Sequence, residues 1–225
     1  MSGEPGRLIV FEAPEGAGKT TQLQLLTAWL GARGLPHLAV REPGGTPLGD
    51  EIRAILLDPA RELSARTEAL LFMTSRAELV ARVIRPALER GVMVFADRFF
   101  LSTYAYQVHG RGLPFAEVRA ANALATGGLV PDLTLLLTLR ASERAARAAR
   151  RGAADRMEGA GDDFHERVAA AFARFASADW QEAHPECGPI VDIDASGSER
   201  EVFARVLAAL AARWPRAFEP DVVPR

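Results

Sequence analysis

The sequence is poor in several residue types and patterns, and each shortage excludes a class of protein. Of its 225 residues only Cys187 is a cysteine, which excludes an internal disulfide and a cysteine-based metal cluster. No apolar run reaches the roughly 18 residues that a membrane-spanning helix requires, and residues 1–6 contain no apolar signal segment. The net charge of −2 lacks the basic excess typical of nucleic-acid-binding proteins. We therefore expect a cytoplasmic protein that binds neither membranes nor nucleic acid.

Lysine is also scarce. The chain has 27 lysines and arginines in total, and only Lys19 among them is a lysine. Arginine is thus used almost wherever a general positive charge suffices, which suggests that Lys19 has a task that a guanidinium cannot perform. A compact ammonium on a thin stem fits into a glycine-rich loop, whereas a planar guanidinium does not.

What the chain does contain is an ordinary globular composition. Apolar residues make up 48% of it and charged residues 25%. This length and composition predict one domain over residues 1–225, with a core at about 7–214 and loose ends at 1–6 and 216–225.

The residues around Lys19 form the most informative stretch. An apolar run at 8–11 is followed by a loop that ends Glu-Gly-Ala-Gly-Lys-Thr-Thr, and then by an amphipathic segment at 23–30. This order predicts a strand, a phosphate-binding loop and a helix, because backbone N–H groups and a helix N-terminus together bind phosphate. We expect Lys19 to contact the β- and γ-phosphates and Thr20 to ligate Mg²⁺.

One position departs from the usual phosphate-loop pattern, since Ala13 stands where the first glycine belongs. Alanine is strained at positive φ. A residue that precedes a proline is, however, pushed into the extended region with negative φ, and Pro14 follows here. We therefore expect the loop to accept Ala13 without strain.

Five short apolar segments predict strands, at residues 8–11, 37–40, 92–96, 133–139 and 190–193. Helical patterns separate them, which is typical of a parallel sheet with helices on both faces. In such sheets ligands bind beyond the carboxyl ends of the strands.

Charged and aromatic residues follow these strands. Asp97 and Arg98 end the third segment, where an acid can reach a metal and an arginine can hold a phosphate. A simple surface ion pair is the alternative interpretation. In the helix predicted over 64–90, Phe72 and Arg76 are four residues apart and share a face. A second helical run brings Thr103, Tyr106 and Gln107 to one side.

An arginine-rich helix is predicted at 142–152, followed by a run with several glycines at 155–161. We interpret about 144–163 as a small lid, and a solvated basic face is the alternative. A further helix, predicted over 164–180, has an apolar stripe that is typical of core packing.

Taken in order, four motifs resemble those of the bacterial thymidylate kinases, which phosphorylate dTMP with ATP. They are the phosphate loop, Arg-Glu-Pro-Gly-Gly-Thr at 41–46, Asp-Arg-Phe at 97–99 with Ala-Tyr-Gln at 105–107, and the Arg-Gly to Asp-Arg-Met-Glu run at 151–158. The resemblance implies an α/β P-loop NTPase fold with a five-stranded parallel sheet in the order 2-3-1-4-5, a small lid, and a homodimer.

For the acceptor dTMP, the resemblance implies contacts on both halves of the nucleotide. Phe72 stacks on the thymine and Arg76 donates to a thymine carbonyl, while Thr103 and Gln107 lie near the base edge.

On the sugar and phosphate side, the resemblance implies four further residues. Arg98 grips the acceptor phosphate with Arg41 close by, and Glu15 meets the region of the 3′-hydroxyl. Tyr106 crowds the space that a ribose 2′-hydroxyl requires and so favours deoxynucleotides.

For the donor, the resemblance implies that ATP is bound by Glu15, Gly16, Ala17, Gly18, Lys19, Thr20, Thr21, Arg147 and Ala195. Thr20 and Asp97 lie at the Mg²⁺. The residues expected to take part in catalysis are Lys19, Glu15, Asp97, Arg98 and Arg151.

The resemblance implies that an arginine from either the phosphate loop or the lid neutralises charge during transfer. Loop positions 15–17 are Glu-Gly-Ala here, so the lid is expected to supply it. Arg151 is the first choice, ahead of Arg147 and Arg156. Replacing Arg151 by alanine is expected to lower turnover by orders of magnitude while leaving dTMP binding nearly intact.

Three other functions were compared with this one. A GTPase switch is disfavoured, because guanine specificity normally uses an Asn-Lys-x-Asp motif, which requires a lysine other than Lys19. A kinase for another nucleoside monophosphate or for a deoxynucleoside stays open. A non-catalytic nucleotide-binding protein that binds nucleic acid through its arginine-rich helix is disfavoured by the net charge of −2.

Overall fold

The computed structural model describes residues 6–140, 143, 156–157 and 159–218. Its sheet is built from five strands, β1 Leu8–Glu12, β2 His37–Arg41, β3 Met93–Asp97, β4 Leu133–Thr138 and β5 Ile190–Asp194. All neighbouring strands are parallel, and their order is β2-β3-β1-β4-β5. The predicted strands, sheet direction and strand order are confirmed.

The central strand β1 shows why the chain forms a sheet covered on both faces. All of its residues are buried. Leu8 and Val10 belong to one hydrophobic cluster, and Ile9 and Phe11 belong to the other. Since successive side chains of a strand point to opposite faces, an uninterrupted apolar strand supplies both cores.

Ten α-helices are found in the described part of the chain. They are α1 Lys19–Ala32, α2 Pro47–Leu57, α3 Ala65–Leu79, α4 Arg85–Glu89, α5 Phe100–Thr103, α6 Phe115–Thr126, α7 Asp162–Arg174, α8 Ala178–Ala183, α9 Glu199–Arg213 and α10 Pro215–Phe218. A π-helical turn, Val80–Ile84, joins α3 to α4, and a second, Tyr104–Gly110, continues α5. Helices α1, α9 and α10 pack on one face of the sheet, and α7 packs with the π-helical turns on the other.

Two predicted helices differ in detail. The helix predicted over 64–90 is interrupted by the π-helical turn before Pro86, which lies in the first turn of α4. Proline cannot donate to the preceding turn, and a local change of hydrogen-bond register accommodates it. The helix predicted over 164–180 is two helices, because Ser177 caps a new one by accepting from the N–H of Trp180.

The predicted loose C-terminal end starts later than expected. Phe218 is fully buried and stacks near Trp29, with 6.1 Å between the ring centroids. A short helix without an extended periodic pattern gives little signal in the sequence, yet one aromatic residue is enough to fix it to the core. Residues 219–225, 1–5 and most of the predicted lid lie outside the described residues. None of the described helices is long and apolar enough to cross a membrane.

Candidate active site

The phosphate loop connects the end of β1 to the start of α1. Gly16 and Gly18 adopt positive φ values of 81° and 89°. Only glycine adopts such values without strain, and the turn lets α1 begin directly at Lys19. Ala13 is fully buried and is not among the described residues with positive φ, which confirms the expectation drawn from Pro14.

Lys19, Thr20 and Asp97 converge beside this loop. Residues 8–11 of β1 pair in parallel register with residues 94–97 of β3, so that the strand end carries Asp97 to the loop. The Lys19 ammonium forms an ion pair with Oδ1 of Asp97. The Thr20 hydroxyl donates to Oδ2 of the same carboxylate at 3.3 Å.

These oxygens fit a magnesium ion. No group of three or more His, Cys, Asp or Glu side chains in the described ranges is arranged to hold a metal. Mg²⁺ in kinases takes only one or two protein oxygens and completes its shell with water and substrate phosphates. The Thr20 hydroxyl and the Asp97 carboxylate meet that requirement.

Arg98 sits in a strained turn directly after β3. Among the described residues, Arg98 is the one non-glycine residue with a positive φ, which is 74°. The guanidinium donates to the backbone oxygen of Ala13 at 3.2 Å and to the Ser102 hydroxyl at 2.8 Å. Burial alone would lower the pKa of Arg98, but Tyr106, Glu12 and Glu15 outweigh it and raise the pKa. Arg98 is therefore a permanently charged group held at the edge of the phosphate loop.

Glu12, a residue that the sequence analysis did not select, holds this turn in place. Its carboxylate is fully buried. One oxygen accepts from the backbone N–H groups of Phe99 at 2.7 Å and Ser102 at 3.0 Å, and the other accepts from the Ser102 hydroxyl. Since Glu12 immediately precedes the phosphate loop, it ties that loop to the Arg98 turn.

A cavity of about 320 Å³ opens between these elements, and we call it the central cavity. Eleven residues predicted for the site line it, namely Glu15, Lys19, Thr20, Arg41, Phe72, Arg76, Asp97, Arg98, Thr103, Tyr106 and Gln107. Its remaining lining residues are Glu42, Pro43, Arg53, Leu57, Ser102 and Met157. The donor-side and acceptor-side residues predicted from separate motifs thus share one space.

Arg76 forms more hydrogen bonds within the protein than its predicted contact with a thymine carbonyl requires. Its side chain is buried, and all five of its N–H groups have protein partners. They donate to Glu42, the Thr103 hydroxyl, the Asn122 amide oxygen and the Phe99 carbonyl. Donation to a base carbonyl remains a prediction, and it requires that Arg76 share or release one of these bonds.

Glu42 is the counterion of Arg76. Burial raises the pKa of Glu42 despite the neighbouring guanidinium. Its Oε1 atom is buried without a hydrogen-bond partner in the described residues. The pair is therefore held by a single carboxylate oxygen.

Tyr106 and Glu15 close the cavity next to Arg98. The Tyr106 hydroxyl donates to Oε1 of Glu15 at 3.1 Å. Burial raises the pKa of Tyr106 well above its usual value, and the carboxylate of Glu15 adds to this effect. Tyr106 therefore stays a neutral hydrogen-bond donor at any physiological pH.

Gln107 lies deeper in the wall and contacts a second residue that the sequence analysis missed. Its amide nitrogen donates to the buried carboxylate of Glu68 at 3.0 Å. Arg111 and Arg156 donate to the same carboxylate. Arg156, a lesser candidate for the transfer arginine, is thus paired with Glu68 and is not among the residues that line the cavity.

The remaining predicted residues fall in three groups. Gly16, Ala17, Gly18 and Thr21 lie in the loop and the first turn of α1, where they were expected. Ala195 is fully buried and its N–H donates to the Thr138 carbonyl at 2.8 Å, so its contact with ATP stays a prediction. Arg147 and Arg151 lie outside the described residues.

Comparisons with known proteins all point to one family. The family model described as Thymidylate kinase matches residues 11–205. The thymidylate kinase of Deinococcus radiodurans is 47% identical over 208 residues, which cover 92% of this chain and 98% of that protein. The enzyme of Rhizorhabdus wittichii is 44% identical over 214 residues, with 94% and 100% covered. A crystal structure of thymidylate kinase from Ehrlichia chaffeensis aligns with a TM-score of 0.69 at 29% identity and covers 92% of this chain and 99% of that one.

Proposed function

Since the chain belongs to the thymidylate kinase family, we infer that it phosphorylates dTMP to dTDP with ATP, and we propose how its residues divide that task. The observation that supports the proposal best is the convergence of the phosphate loop and the Arg98 turn on the central cavity. One space lined by a donor site and an acceptor site suits direct transfer between two bound nucleotides.

On the donor side, we propose that Lys19 exchanges Asp97 for the β- and γ-phosphates when ATP binds. This exchange frees the carboxylate and the Thr20 hydroxyl to hold Mg²⁺. When bound, the ion neutralises negative charge on the phosphates. The N–H groups of the loop and the N-terminus of α1 bind the remaining phosphate oxygens.

On the acceptor side, Arg98 binds the phosphate of dTMP, and Arg41 approaches it from the rim. Phe72 stacks on the base, while Thr103 and Gln107 lie at its edge. The Tyr106–Glu15 pair takes the sugar, where the ring of Tyr106 occupies the space of a 2′-hydroxyl.

The chemistry needs no strong base, because the attacking group is already a phosphate oxyanion. Catalysis then comes from alignment and from neutralising charge on the transferred phosphoryl group. We propose that Arg151 supplies the additional positive charge, and that Arg147 assists in binding ATP. Closure of the lid about 144–163 over bound nucleotide would exclude water and suppress hydrolysis of ATP.

Acceptor preference is the direct test of the function. ADP release from ATP is measured with a panel of nucleoside monophosphates and nucleosides. The proposal predicts the highest kcat/KM for dTMP. A preference for another acceptor contradicts the assignment of dTMP, and release with none of them contradicts a kinase.

We further propose a homodimer in the cytoplasm. Leu70 on α3 and Leu124 on α6 are 61% and 87% exposed. The two helices pack side by side and are linked at the surface by the Arg66–Glu117 ion pair. Exposed leucines on adjacent helices suit burial against a second copy of the chain.

A further inference from the structure

Glu68 is a buried carboxylate beside the central cavity, and the transfer reaction itself does not account for it. It lies in the first turn of α3 with no exposed surface. One oxygen accepts from the Gln107 amide at 3.0 Å and from Nε of Arg111 at 3.1 Å. The other accepts from Arg111 at 2.9 Å and from Arg156 at 2.7 Å. Both oxygens therefore have two donors each.

This environment keeps Glu68 ionised. Burial alone would raise the pKa of Glu68, but the hydrogen bonds from Arg111, Gln107 and Arg156 outweigh it and hold the pKa below its usual value. An ionised carboxylate can only accept hydrogen bonds. Gln107 must therefore turn its NH₂ group toward Glu68, since the opposite orientation would bring two acceptor oxygens together.

The orientation of Gln107 determines what the central cavity presents to a ligand. Gln107 lines the cavity, and the hydrogen bond found for its side chain within the described part of the chain is the one that Nε2 donates to Glu68. The second hydrogen on Nε2 of Gln107 is also available to a ligand, because the bond to Glu68 uses only one of the two. The amide thus offers one acceptor and one donor in an order that Glu68 fixes.

We propose that Glu68 is a positioning residue that makes the enzyme select thymine against cytosine by preventing the Gln107 amide from turning over. The inference rests on the proposed function, because it concerns the acceptor base. Thymine presents a ring N–H next to a carbonyl, which match the fixed acceptor and donor. Cytosine presents a ring nitrogen next to an amino group, so that acceptor faces acceptor and donor faces donor.

Without the anchor, this discrimination would weaken. A free glutamine amide rotates about its last bond and can satisfy either base edge. Sites that leave polar groups mismatched discriminate strongly, whereas adaptable sites do not. The anchor therefore contributes to specificity without touching the nucleotide.

The test compares the ratio of kcat/KM for dTMP to that for dCMP in two variants. Glu68→Gln keeps the size of the side chain but can offer a donor as well as an acceptor, so Gln107 is no longer held in one orientation. The expected ratio falls by about tenfold or more. Arg111→Gln disturbs the same cluster but leaves the carboxylate to hold Gln107, and its ratio is expected to stay at the wild-type value.

A purely structural role gives a different result, since it lowers activity toward both acceptors alike in both variants. In a Gln107→Leu background, Glu68→Gln is expected to cause no further change in the ratio. The proposal is overturned if Gln107→Leu alone shifts the ratio but Glu68→Gln leaves it at the wild-type value. Failure of the wild type to use dTMP at all would instead contradict the proposed function.

If Glu68→Gln does not fold, the wild-type protein is tested by NMR. The side-chain amide of Gln107 is assigned by its loss in Gln107→Leu. One of its two hydrogens is expected to exchange with solvent about tenfold more slowly than the other. Equal exchange of both hydrogens overturns the proposal.

Discussion

At the scale of single residues, Lys19 is the position where we expect even a conservative substitution to abolish activity. Its side chain is almost fully buried against Asp97 in the phosphate loop. We predict that Lys19→Arg loses turnover nearly as completely as Lys19→Ala, by at least about 100-fold, because a guanidinium does not fit the loop although the charge is kept. Steady-state kinetics with saturating ATP measure this.

The matched control is the exposed Arg82, which forms an ion pair with Glu78 one helical turn away. Arg82→Lys is expected to leave kcat unchanged. An active Lys19→Arg enzyme would show that charge alone suffices at the loop, contrary to the interpretation of the single lysine.

The lowered pKa of Glu68 predicts how the stability of the fold changes with pH. Because the pKa of Glu68 is lowered in the folded state from its ordinary value of 4.5, its carboxylate stabilises the fold fully above that value. This stabilisation is lost as the pH falls through the lower, folded-state pKa. The difference in the free energy of unfolding between wild type and Glu68→Gln should therefore shrink as the pH falls below 4.5. Urea unfolding at several pH values measures it, and a constant difference contradicts the assignment.

The buried acids show where prediction from the sequence ends. Lys19, Asp97 and Arg98 belong to short motifs at strand ends and could be predicted. Glu12 and Glu68 could not be predicted, because their partners are far away in the sequence. Phe99 is 87 residues from Glu12, and Arg156 is 88 residues from Glu68. No local spacing encodes such a contact, and only the closed fold creates it.

At the scale of elements, the turn after β3 stores backbone strain. Arg98 has a φ of 74°, a conformation that disfavours residues with a Cβ by about 1 kcal/mol or more. We predict that Arg98→Gly is more stable than Arg98→Ala by about 1 kcal/mol, although both lose the guanidinium and both bind dTMP weakly. Chemical denaturation of the pair measures the difference. Equal stabilities would contradict a strained turn.

Some helix ends carry a signal in the local sequence. Gly34 follows α1 with a positive φ of 65°, and α9 begins with a capping box of Ser198 and Glu201. The interruptions near Pro86 and Ser177 also have local causes, namely the proline itself and the capping hydroxyl of Ser177. An apolar stripe continues across both interruptions, so periodicity alone could not locate them.

At the scale of the whole molecule, the proposed homodimer makes a prediction about assembly. Sedimentation velocity should give the mass of two chains, and Leu124→Asp should shift it to one, because a charge cannot be buried unpaired in an apolar interface. Val130→Asp, at an exposed position outside α3 and α6, is the matched control and should leave the dimer intact. A monomeric wild type would contradict the proposal.

We propose that the central cavity aligns two nucleotides for direct transfer. This proposal is tested by ³¹P NMR of ATP mixed with dTMP, Mg²⁺ and the enzyme. We predict that dTDP and ADP appear in equal amounts without inorganic phosphate, because the phosphoryl group passes directly between the substrates. Formation of ADP and inorganic phosphate without dTDP would contradict it.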